Sequence, residues 1–312
     1  MASELEAELG AALMGAEAFL PREAISRLKG SAHSFLKVEL VRGASVATEL
    51  LSTYPLRLHC MRRPEATWCF VLTLGGGLCS GDNSAVVVAV REGASCAVRS
   101  VGALLVFKAN ILSHTGLLGR VARGALLAIA PQHTVCFADA RMEQNQVVEL
   151  APGGSLCLVD WLGPGREARG ESWAFQSYAS SLLVTIGGSP LLLERQDLST
   201  AGMGGFTVPA VVVLVGPALM GCFAKAEEMV QTWCPVPGPP RHRGERSAEV
   251  TCPTPPFEDP VLMSAIPLCV AGQKVGVLVR IAGRSVEHVR VLLRDLIEPL
   301  SPRLGGNPYT AP

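Results

Sequence analysis

The stretch Thr73-Leu74-Gly75-Gly76-Gly77-Leu78-Cys79-Ser80-Gly81-Asp82-Asn83 separates two strand-like runs, residues 68–74 and 85–90. The second run, Ala-Val-Val-Val-Ala-Val, is rich in the β-branched residues that suit a pleated, half-buried surface. Glycines between two strands let the backbone adopt positive φ angles, or let another group approach it closely. The glycine stretch therefore predicts a sharp connection between two strands, around which the rest of the chain is arranged.

The glycine spacing of this stretch invites comparison with a phosphate-binding loop. Gly76 and Gly81 have the spacing of the two glycines in that motif, but Asp82 and Asn83 stand where it needs Lys and Ser or Thr. A carboxylate would repel a phosphate, and strands flank the loop on both sides. The sequence excludes a P-loop and leaves two interpretations open: a tight turn capped by Asp82, or a functional loop.

The composition is that of a folded chain with many turns. Of its 312 residues 49% are hydrophobic and 17% charged, with 32 Gly and 22 Pro, which excludes disorder and favours short strands. Lys and Arg together number 27, as do Asp and Glu, so no net field favours nucleic acid or an anionic membrane. A near-zero net charge with positive mean hydropathy indicates a protein partner that covers apolar surface.

The first residues and the cysteines indicate the compartment. Glu4, Glu6 and Glu8 occupy the region where a signal peptide needs basic residues, so we expect a cytoplasmic rather than a secreted protein. The longest apolar run, residues 208–223, is broken by prolines and is too short to span a bilayer. We expect the ten cysteines to be reduced, buried thiols, and no C-x-x-C pair signals a zinc ribbon or a thioredoxin-like site.

One pattern occurs three times along the middle of the chain. In residues 86–99, 119–129 and 146–159, a strand ends at a short Gly-containing turn and the next strand opens directly after it. A recurrence at roughly 30 residues predicts a repeating unit, as in a β-helix-like or layered β stack. The alternative is that strand–turn–strand units recur in any all-β protein. Both interpretations predict an all-β, or mainly β, fold.

Helical patterns flank this β region. Residues 1–30 are rich in Ala, Glu and Leu and are predicted to be a helical or disordered extension outside the core, with residues 31–312 as the β domain. Residues 219–233 and 285–298 have helical spacing, and in the second of these Ser285 is a candidate N-cap. Residues 234–256 are rich in Pro and Arg and are predicted to be an exposed loop.

No catalytic constellation is visible among the histidines and serines. The six histidines lack H-E-x-x-H or H-x-H spacing, and no G-x-S-x-G motif occurs. His59 and Cys60 are adjacent metal-ligand types, but neighbours in a strand point to opposite faces, so ordinary packing is the alternative to a metal role. His133 lies at a break between strands and is a further metal candidate.

Three carboxylates, Asp82, Asp139 and Glu171, each follow a turn. Each could be a turn-capping or surface acid, or all three could line one cavity, and the sequence alone does not pair them. A small-molecule enzyme or binding protein on a β scaffold, with the glycine stretch over a pocket, is therefore one class of function that we consider.

Taken in order, several motifs resemble the UreD (UreH) family of urease accessory proteins, and the resemblance runs from near Phe35 to about Tyr309. The motifs are Tyr54-Pro55-Leu56-Arg57-Leu58, Gly75-Gly76-Gly77-Leu78-Cys79-Ser80-Gly81-Asp82, Glu92-Gly93-Ala94, Pro131-Gln132-His133-Thr134-Val135-Cys136-Phe137-Ala138-Asp139-Ala140-Arg141 with Gln144, Gly163-Pro164-Gly165-Arg166, Gly170-Glu171-Ser172-Trp173 and Leu193-Glu194-Arg195. The Phe-Ala-Asp-Ala form is similar to the plant and fungal branch.

Two departures from the family pattern stand near the glycine stretch. The family usually has a Thr-Lys pair where this chain has Leu104-Leu105, which removes a charge and a hydroxyl. Its usual Gly-Gly before the loop aspartate is Ser80-Gly81 here. The first departure motivates one further hypothesis, in which the chain is a UreD-fold remnant without nickel function.

The resemblance implies an all-β, β-helix-like stack with two C-terminal helices packed on it, and a role rather than a catalysed reaction. UreD-type proteins bind urease apoprotein and a UreF-type protein, which recruits a UreG-type GTPase. They act as maturation chaperones that help deliver nickel to the urease active site, through an internal tunnel. The resemblance thus implies no tightly bound cofactor and transient Ni²⁺, for which scattered oxygen, His or Cys donors suit better than a closed cage.

From the residues of this chain we form a hypothesis about the nickel path. The acids Asp82, Asp139 and Glu171 are predicted to line or gate it. The weaker metal candidates are His59, Cys60 and His133.

Overall fold

A computed structural model describes residues 2–199, 205–233 and 261–310 of the chain. Within these ranges two large β-sheets stack face to face, and helices cover the outer face of each. The helices are α1 Ala2–Ala16, α2 Arg22–Lys29, α3 Met220–Trp233, α4 Val286–Ile297 and α5 Ser301–Leu304. The strands are β1 Ala32–Val41, β2 Ala44–Leu51, β3 Leu56–Arg62, β4 Thr67–Thr73, β5 Asn83–Val90, β6 Ser95–Ser100, β7 Leu104–Val106, β8 Ser113–Val121, β9 Leu126–Ile129, β10 Thr134–Cys136, β11 Arg141–Leu150, β12 Ser155–Trp161, β13 Ser177–Ile186, β14 Ser189–Leu198, β15 Val208–Val215, β16 Leu262–Val270 and β17 Gln273–Gly283.

Both sheets are mixed. Sheet A has seven strands in the order β14-β13-β11-β8-β5-β1-β2, and sheet B has eight in the order β16-β17-β15-β12-β9-β6-β4-β3. The central strands run parallel to their neighbours, from β1 to β13 in sheet A and from β4 to β12 in sheet B. The outer strands are antiparallel. The mainly β prediction is confirmed.

Parallel order arises because the chain passes back and forth between the two sheets. Strands β5, β8 and β11 lie in sheet A, and each is followed by a strand of sheet B, respectively β6, β9 and β12. A third, short ladder joins these passages, because β7 pairs with β10 and single bridges extend it to Leu78 and Leu162. The three strand–turn–strand segments of the sequence correspond to these three pairs. The β-helix-like detail of the prediction stays a prediction.

The turns within these pairs stack on one another. Gly93, Gly124 and Gly153 all have positive φ, of 71°, 70° and 85°, a conformation that costs glycine little. The Gly93 amide donates to the Arg123 carbonyl at 3.3 Å, and the Gly124 amide donates to the Gly153 carbonyl at 3.0 Å. Stacked turns of equal shape keep successive strands in register.

Apolar cores fill the three spaces between these layers. The inter-sheet core contains inward side chains of both sheets, such as Val88 and Leu127. A second core joins sheet B to α3 and α4, and a third joins sheet A to α1 and α2. Strand β5 is buried almost throughout, as expected for a parallel strand covered on both faces.

The predicted helix at residues 285–298 is confirmed. Its first turn is capped by Ser285, whose Oγ accepts a hydrogen bond from the His288 amide at 3.4 Å. The helix has an apolar stripe that is buried against sheet B, formed by Val289, Leu292, Leu293, Leu296 and Ile297. Helix α3 is the helix predicted at residues 219–233. No helix in the described ranges is long and apolar enough to cross a membrane.

The N-terminal helices correct one prediction. Residues 2–16 and 22–29 are helical, but Leu13, Ile25 and Leu28 are buried against sheet A, so this segment does not lie outside the core. Glu8 is only 3% exposed and pairs with Arg91, directly after β5, and with Arg120 of β8, at 2.6 and 2.9 Å. A domain boundary at residue 30 stays a prediction, and the loop predicted at residues 234–256 lies outside the described ranges.

Candidate functional site

The glycine stretch is a compact turn at one end of the two sheets. Gly75 and Gly76 both have φ of 82°, and Gly81 has φ of 84°. Gly77 has extended backbone, but a Cβ there would lie 2.4 Å from the Leu105 carbonyl oxygen. That carbonyl accepts a hydrogen bond from the Leu78 amide at 2.8 Å. The glycines thus allow the turn to pack directly on the backbone of β7.

Asp82 closes this turn. Its Oδ2 accepts a hydrogen bond from the Cys79 amide at 2.7 Å, and its carbonyl accepts one from the His114 amide at 2.8 Å. These contacts agree with the interpretation of Asp82 as a capping residue. Its carboxylate is partly exposed beside Gly81.

The turn belongs to a loop stack, which we define as residues 78–82, 107–111, 137–141 and 164–173. Ser80 Oγ accepts hydrogen bonds from the amides of Asn110 and Ile111, at 3.1 and 3.0 Å. The Asp139 carbonyl accepts one from the Ala109 amide at 3.2 Å. The loops that carry Asp82 and Asp139 therefore both contact residues 109–111. The sequence alone left the pairing of the three acids open.

Asp139 and Glu171 are each paired with a cation of the loop stack. Lys108 Nζ lies 3.1 Å from Asp139 Oδ2, and its hydrogen bond lowers the pKa of that carboxyl. Arg166 binds both oxygens of Glu171, at 2.7 and 2.5 Å, and lowers the pKa of that acid. Glu171 Oε2 also accepts a hydrogen bond from the Ala138 amide at 3.2 Å. Both acids are thus held ionised and compensated.

The structure separates His59 from Cys60. His59 is exposed on β3, whereas Cys60 is half-buried and packs against the inter-sheet core, because adjacent strand residues point to opposite faces. No group of three or more His, Cys, Asp or Glu in the described ranges could hold a metal ion. The two residues do not form a site together.

His133 packs beneath the third ladder. Its ring lies 5.1 Å from that of Trp161, and a Cβ at Gly163 would lie 2.6 Å from its Cδ2. Its Nδ1 is buried and has no hydrogen-bond partner within the described part of the chain, and burial lowers the pKa of the imidazole. This environment favours a neutral ring.

A cavity of about 330 Å³ lies between the sheets at the end that carries the glycine stretch. We call it the inter-sheet cavity. Gly76, Gly77, Leu104 and Leu105 contribute to its wall, together with aliphatic residues of both sheets. None of Asp82, Asp139, Glu171, His59, Cys60 and His133 lines it. The proposed role of the three acids in a nickel path stays a prediction, and the structure places them outside this cavity.

The polar part of the cavity wall includes the Arg99 side chain of β6 and polar side chains of both sheets. Gln144 and Gln146 on β11 and Asp160 on β12 all line it. Asp160 is 8% exposed, and its Oδ2 accepts hydrogen bonds from Ser180 Oγ at 2.7 Å and Gln146 Nε2 at 3.4 Å. Burial raises the pKa of Asp160, and the hydrogen bonds only partly oppose this. The cavity wall thus combines many aliphatic side chains with a buried carboxylate and an arginine.

Comparison with known proteins is decisive for the family. A model of the UreD urease accessory protein family matches residues 30–312. The chain belongs to the UreD urease accessory protein family. It is 32% identical to urease accessory protein D of Oryza sativa subsp. japonica, over 96% of this chain and 100% of that protein. It is 36% identical to UreD of Sorangium cellulosum, over 86% of this chain and 80% of that protein, and 32% identical to the Arabidopsis thaliana protein, over 87% and 97%.

For this UreD-family chain the structure locates the departures noted in the sequence. Leu104 and Leu105 form β7 and line the inter-sheet cavity, at its glycine end. Ser80, the other departure, binds two amides of the neighbouring loop. The leucines therefore make one wall of the cavity apolar, whereas the serine serves the loop stack.

Sequence reasoning missed Asp160. Its signal was available, since it is the one acid in the apolar strand Ser-Leu-Cys-Leu-Val-Asp-Trp, and a polar residue in a buried strand is informative. Its hydrogen-bond partner, Ser180, lies on the opposite sheet. No local pattern connects the two.

Proposed function

We propose that this chain is a urease maturation factor that binds urease apoprotein and a UreF-type protein, and through it a UreG-type GTPase, and helps to pass nickel to the urease active site. Membership of the UreD urease accessory protein family supports the role in urease maturation. The inter-sheet cavity with Asp160 inside it is the observation that supports nickel transfer.

The chemistry of the cavity suits a cargo that must leave again. Carboxylate and amide oxygens bind divalent ions less tightly than thiolate cages do, and Asp160, Gln144 and Gln146 supply such oxygens in the wall. Because burial raises the pKa of Asp160, a divalent cation would favour its ionised form by supplying the missing opposite charge. Nickel is the cargo in this proposal, not a resident cofactor.

The loop stack is a second place where a partner could replace one member of an ion pair. Asp139 is 47% exposed and Lys108 is 71% exposed, and exposed ion pairs of this kind are worth little. A docked protein or a passing cation can therefore exchange with Lys108 at small cost. We propose Asp139 as a gate residue on this ground, together with Asp82 and Glu171 of the neighbouring loops.

The alternative of a small-molecule enzyme receives less support. The cavity volume falls within the range of ligand pockets, and Asp160 is an acid in its wall, but the described lining contains no His, Lys or Cys that could form a nucleophile–base pair with it. A maturation factor needs neither.

Co-purification tests the proposal. The chain is co-expressed with urease apoprotein and the UreF-type and UreG-type proteins, pulled down, and assayed for bound partners, nickel and urease activity. We expect a complex that yields nickel-loaded urease. Asp160→Asn should leave the complex intact and lower nickel loading, whereas Asp197→Asn, at an exposed acid, should change neither.

Two outcomes would decide against parts of this proposal. Absence of any complex contradicts the maturation role. A normal complex with full nickel loading by the Asp160 variant contradicts transfer through the cavity and leaves the scaffold role in place.

A further inference from the structure

Three thiols lie on the inward face of sheet B. Cys60 on β3, Cys69 on β4 and Cys96 on β6 all pack in the inter-sheet core, and all three are free. Cys69 and Cys96 are buried, with 1% and 0% exposure, whereas Cys60 is half-buried. None of them lines the inter-sheet cavity. The proposed function therefore makes no use of this cluster.

Cys60 and Cys69 stand directly opposite each other in the antiparallel β3–β4 pair. Opposed residues in such a pair have Cα atoms about 4.5 or 5.5 Å apart, and disulfides span Cα separations of about 4.4–6.8 Å. Both side chains pack in the inter-sheet core, on the inward face of sheet B. The register of the hairpin therefore places the two thiols as a cross-strand pair within the range that a disulfide can span.

Cys96 has a different relation to the pair. The residue of β6 in register with Cys69 is Val98, two residues beyond Cys96. Cys96 is therefore a diagonal neighbour of Cys69, and diagonal neighbours in a sheet lie farther apart than opposed ones. The geometry selects Cys60 as the partner of Cys69.

We propose that Cys60 and Cys69 form an oxidation site, which a hydroperoxide converts to an intramolecular disulfide. Cys60 is the attacking group, because it is the less buried of the two and is therefore the more accessible to a peroxide. Its thiolate attacks a peroxide oxygen and breaks the O–O bond, which gives a sulfenic acid and, with hydrogen peroxide, one water after proton uptake. The Cys69 sulfur then attacks the sulfenic sulfur, forms the S–S bond and releases a second water. Two thiols lose two electrons and two hydrogens, and the peroxide is reduced to two waters.

The disulfide would clamp a hairpin that borders the cavity. Leu56 in β3 and Val71 in β4 belong to both the cavity wall and the inter-sheet core. The new bond would close the loop of residues 60–69 and fix these two strands to each other. Oxidation would thus link two strands that border the cavity.

Peptide mapping after hydrogen peroxide treatment tests the proposal. Trypsin cleaves after Arg62, so Cys60 falls in residues 58–62 and Cys69 in residues 63–91, where the Arg63-Pro64 bond resists cleavage. Cys79 shares the second peptide, so the Cys79→Ser chain is used, in which Cys69 is the one cysteine of that peptide. We expect a linked peptide lighter by two hydrogens than the sum of its parts, and its loss on reduction. In the unsubstituted chain, the thiol count after denaturation should fall by two from ten.

Matched variants make the assignment specific. Cys60→Ser and Cys69→Ser should each abolish the linked peptide, whereas Cys269→Ser, at an exposed thiol, should leave it unchanged. A Cys69–Cys96 link, or Cys60 oxidised without any link, would overturn the proposal. Mapping of the Cys79→Ser chain decides this even where a Cys60 or Cys69 variant folds poorly.

Discussion

Asp160 and Ser180 are joined by a 2.7 Å hydrogen bond that crosses from sheet B to sheet A. It is a polar link through the inter-sheet core, and Asp160 also lines the inter-sheet cavity. The charge of this buried acid has two opposing effects, one on stability and one on function. Its charge costs stability, and under our proposal the same charge attracts the cargo.

Asp160→Asn should separate these effects. Burial raises the pKa of Asp160 in the folded state, so its contribution to stability is present below the unfolded pKa and is lost as the pH rises through the folded pKa. At neutral pH the variant should be as stable as the parent chain or more stable, while nickel loading of urease falls. Urea denaturation measures the first effect. A loss of more than about 1 kcal/mol at neutral pH would indicate that the amide does not replace the carboxylate in its hydrogen bonds.

Acid should destabilise the fold through His114. Its Nδ1 pairs with Asn83 Oδ1 at 2.7 Å and its Nε2 with Asn145 Nδ2 at 3.0 Å, and burial lowers its pKa to about 4. The unfolded chain takes up the proton first, so stability falls as the pH drops from about 6.5 to 4, by about 3 kcal/mol in total.

Denaturation of the chain and of His114→Gln, across that pH range, checks this expectation. The slope of the free energy of unfolding against pH should be shallower in the variant. Equal slopes would show that other groups, such as His33 or His133, carry the acid response.

Gly77→Ala should be strongly destabilising. Its Cβ would lie 2.4 Å from the Leu105 carbonyl oxygen, and relieving that clash must separate the glycine stretch from β7. We expect a loss of about 2–4 kcal/mol in the free energy of unfolding. Gly102→Ala is the control, since no atom lies within 4 Å of a Cβ there, and it should change stability little. Similar effects of both substitutions would contradict the close approach.

Glu8 should anchor the N-terminal helix. It is buried between Arg91 and Arg120, so Glu8→Gln leaves two guanidinium groups without their shared carboxylate. Hydrogen bonds to charged groups contribute about 1.5–3 kcal/mol each, and we expect a loss of about 2 kcal/mol. Glu6→Gln, at an exposed position, should have no measurable effect on thermal unfolding. If the two variants unfold alike, α1 does not depend on this contact.

The strands and the last long helix could be predicted because their signals are local. Alternating and β-branched runs mark strands, and Ser285 with its apolar stripe marks α4. The packing of α1 and α2 could not be predicted, because it depends on side chains of sheet A that are far away in sequence, such as Val87 and Leu118. The pairing of Glu8 with Arg91 and Arg120 is of the same long-range kind.

The candidate site was predicted only in part for the same reason. The turn signals in the sequence placed Asp139 and Glu171 in loops, and these two loops are neighbours in the structure. The cations that compensate them were not recognised as partners: Lys108 lies on a different loop from Asp139, and Arg166 lies on the same loop as Glu171. Asp160 was not identified at all, since its importance depends on a cavity formed by two sheets.

The stacked turns at Gly93, Gly124 and Gly153 also affect how the sheets can form. Each turn contacts the next at about 30 residues along the chain, so the parallel pairings of β5 with β8, β8 with β11, β6 with β9 and β9 with β12 close loops of similar length and similar entropy cost. The pair already formed presents the edge on which the next strand assembles, in both sheets at once. Assembly of the two sheets is therefore repetitive, because each new strand pair is added to the edge of the preceding strand pair.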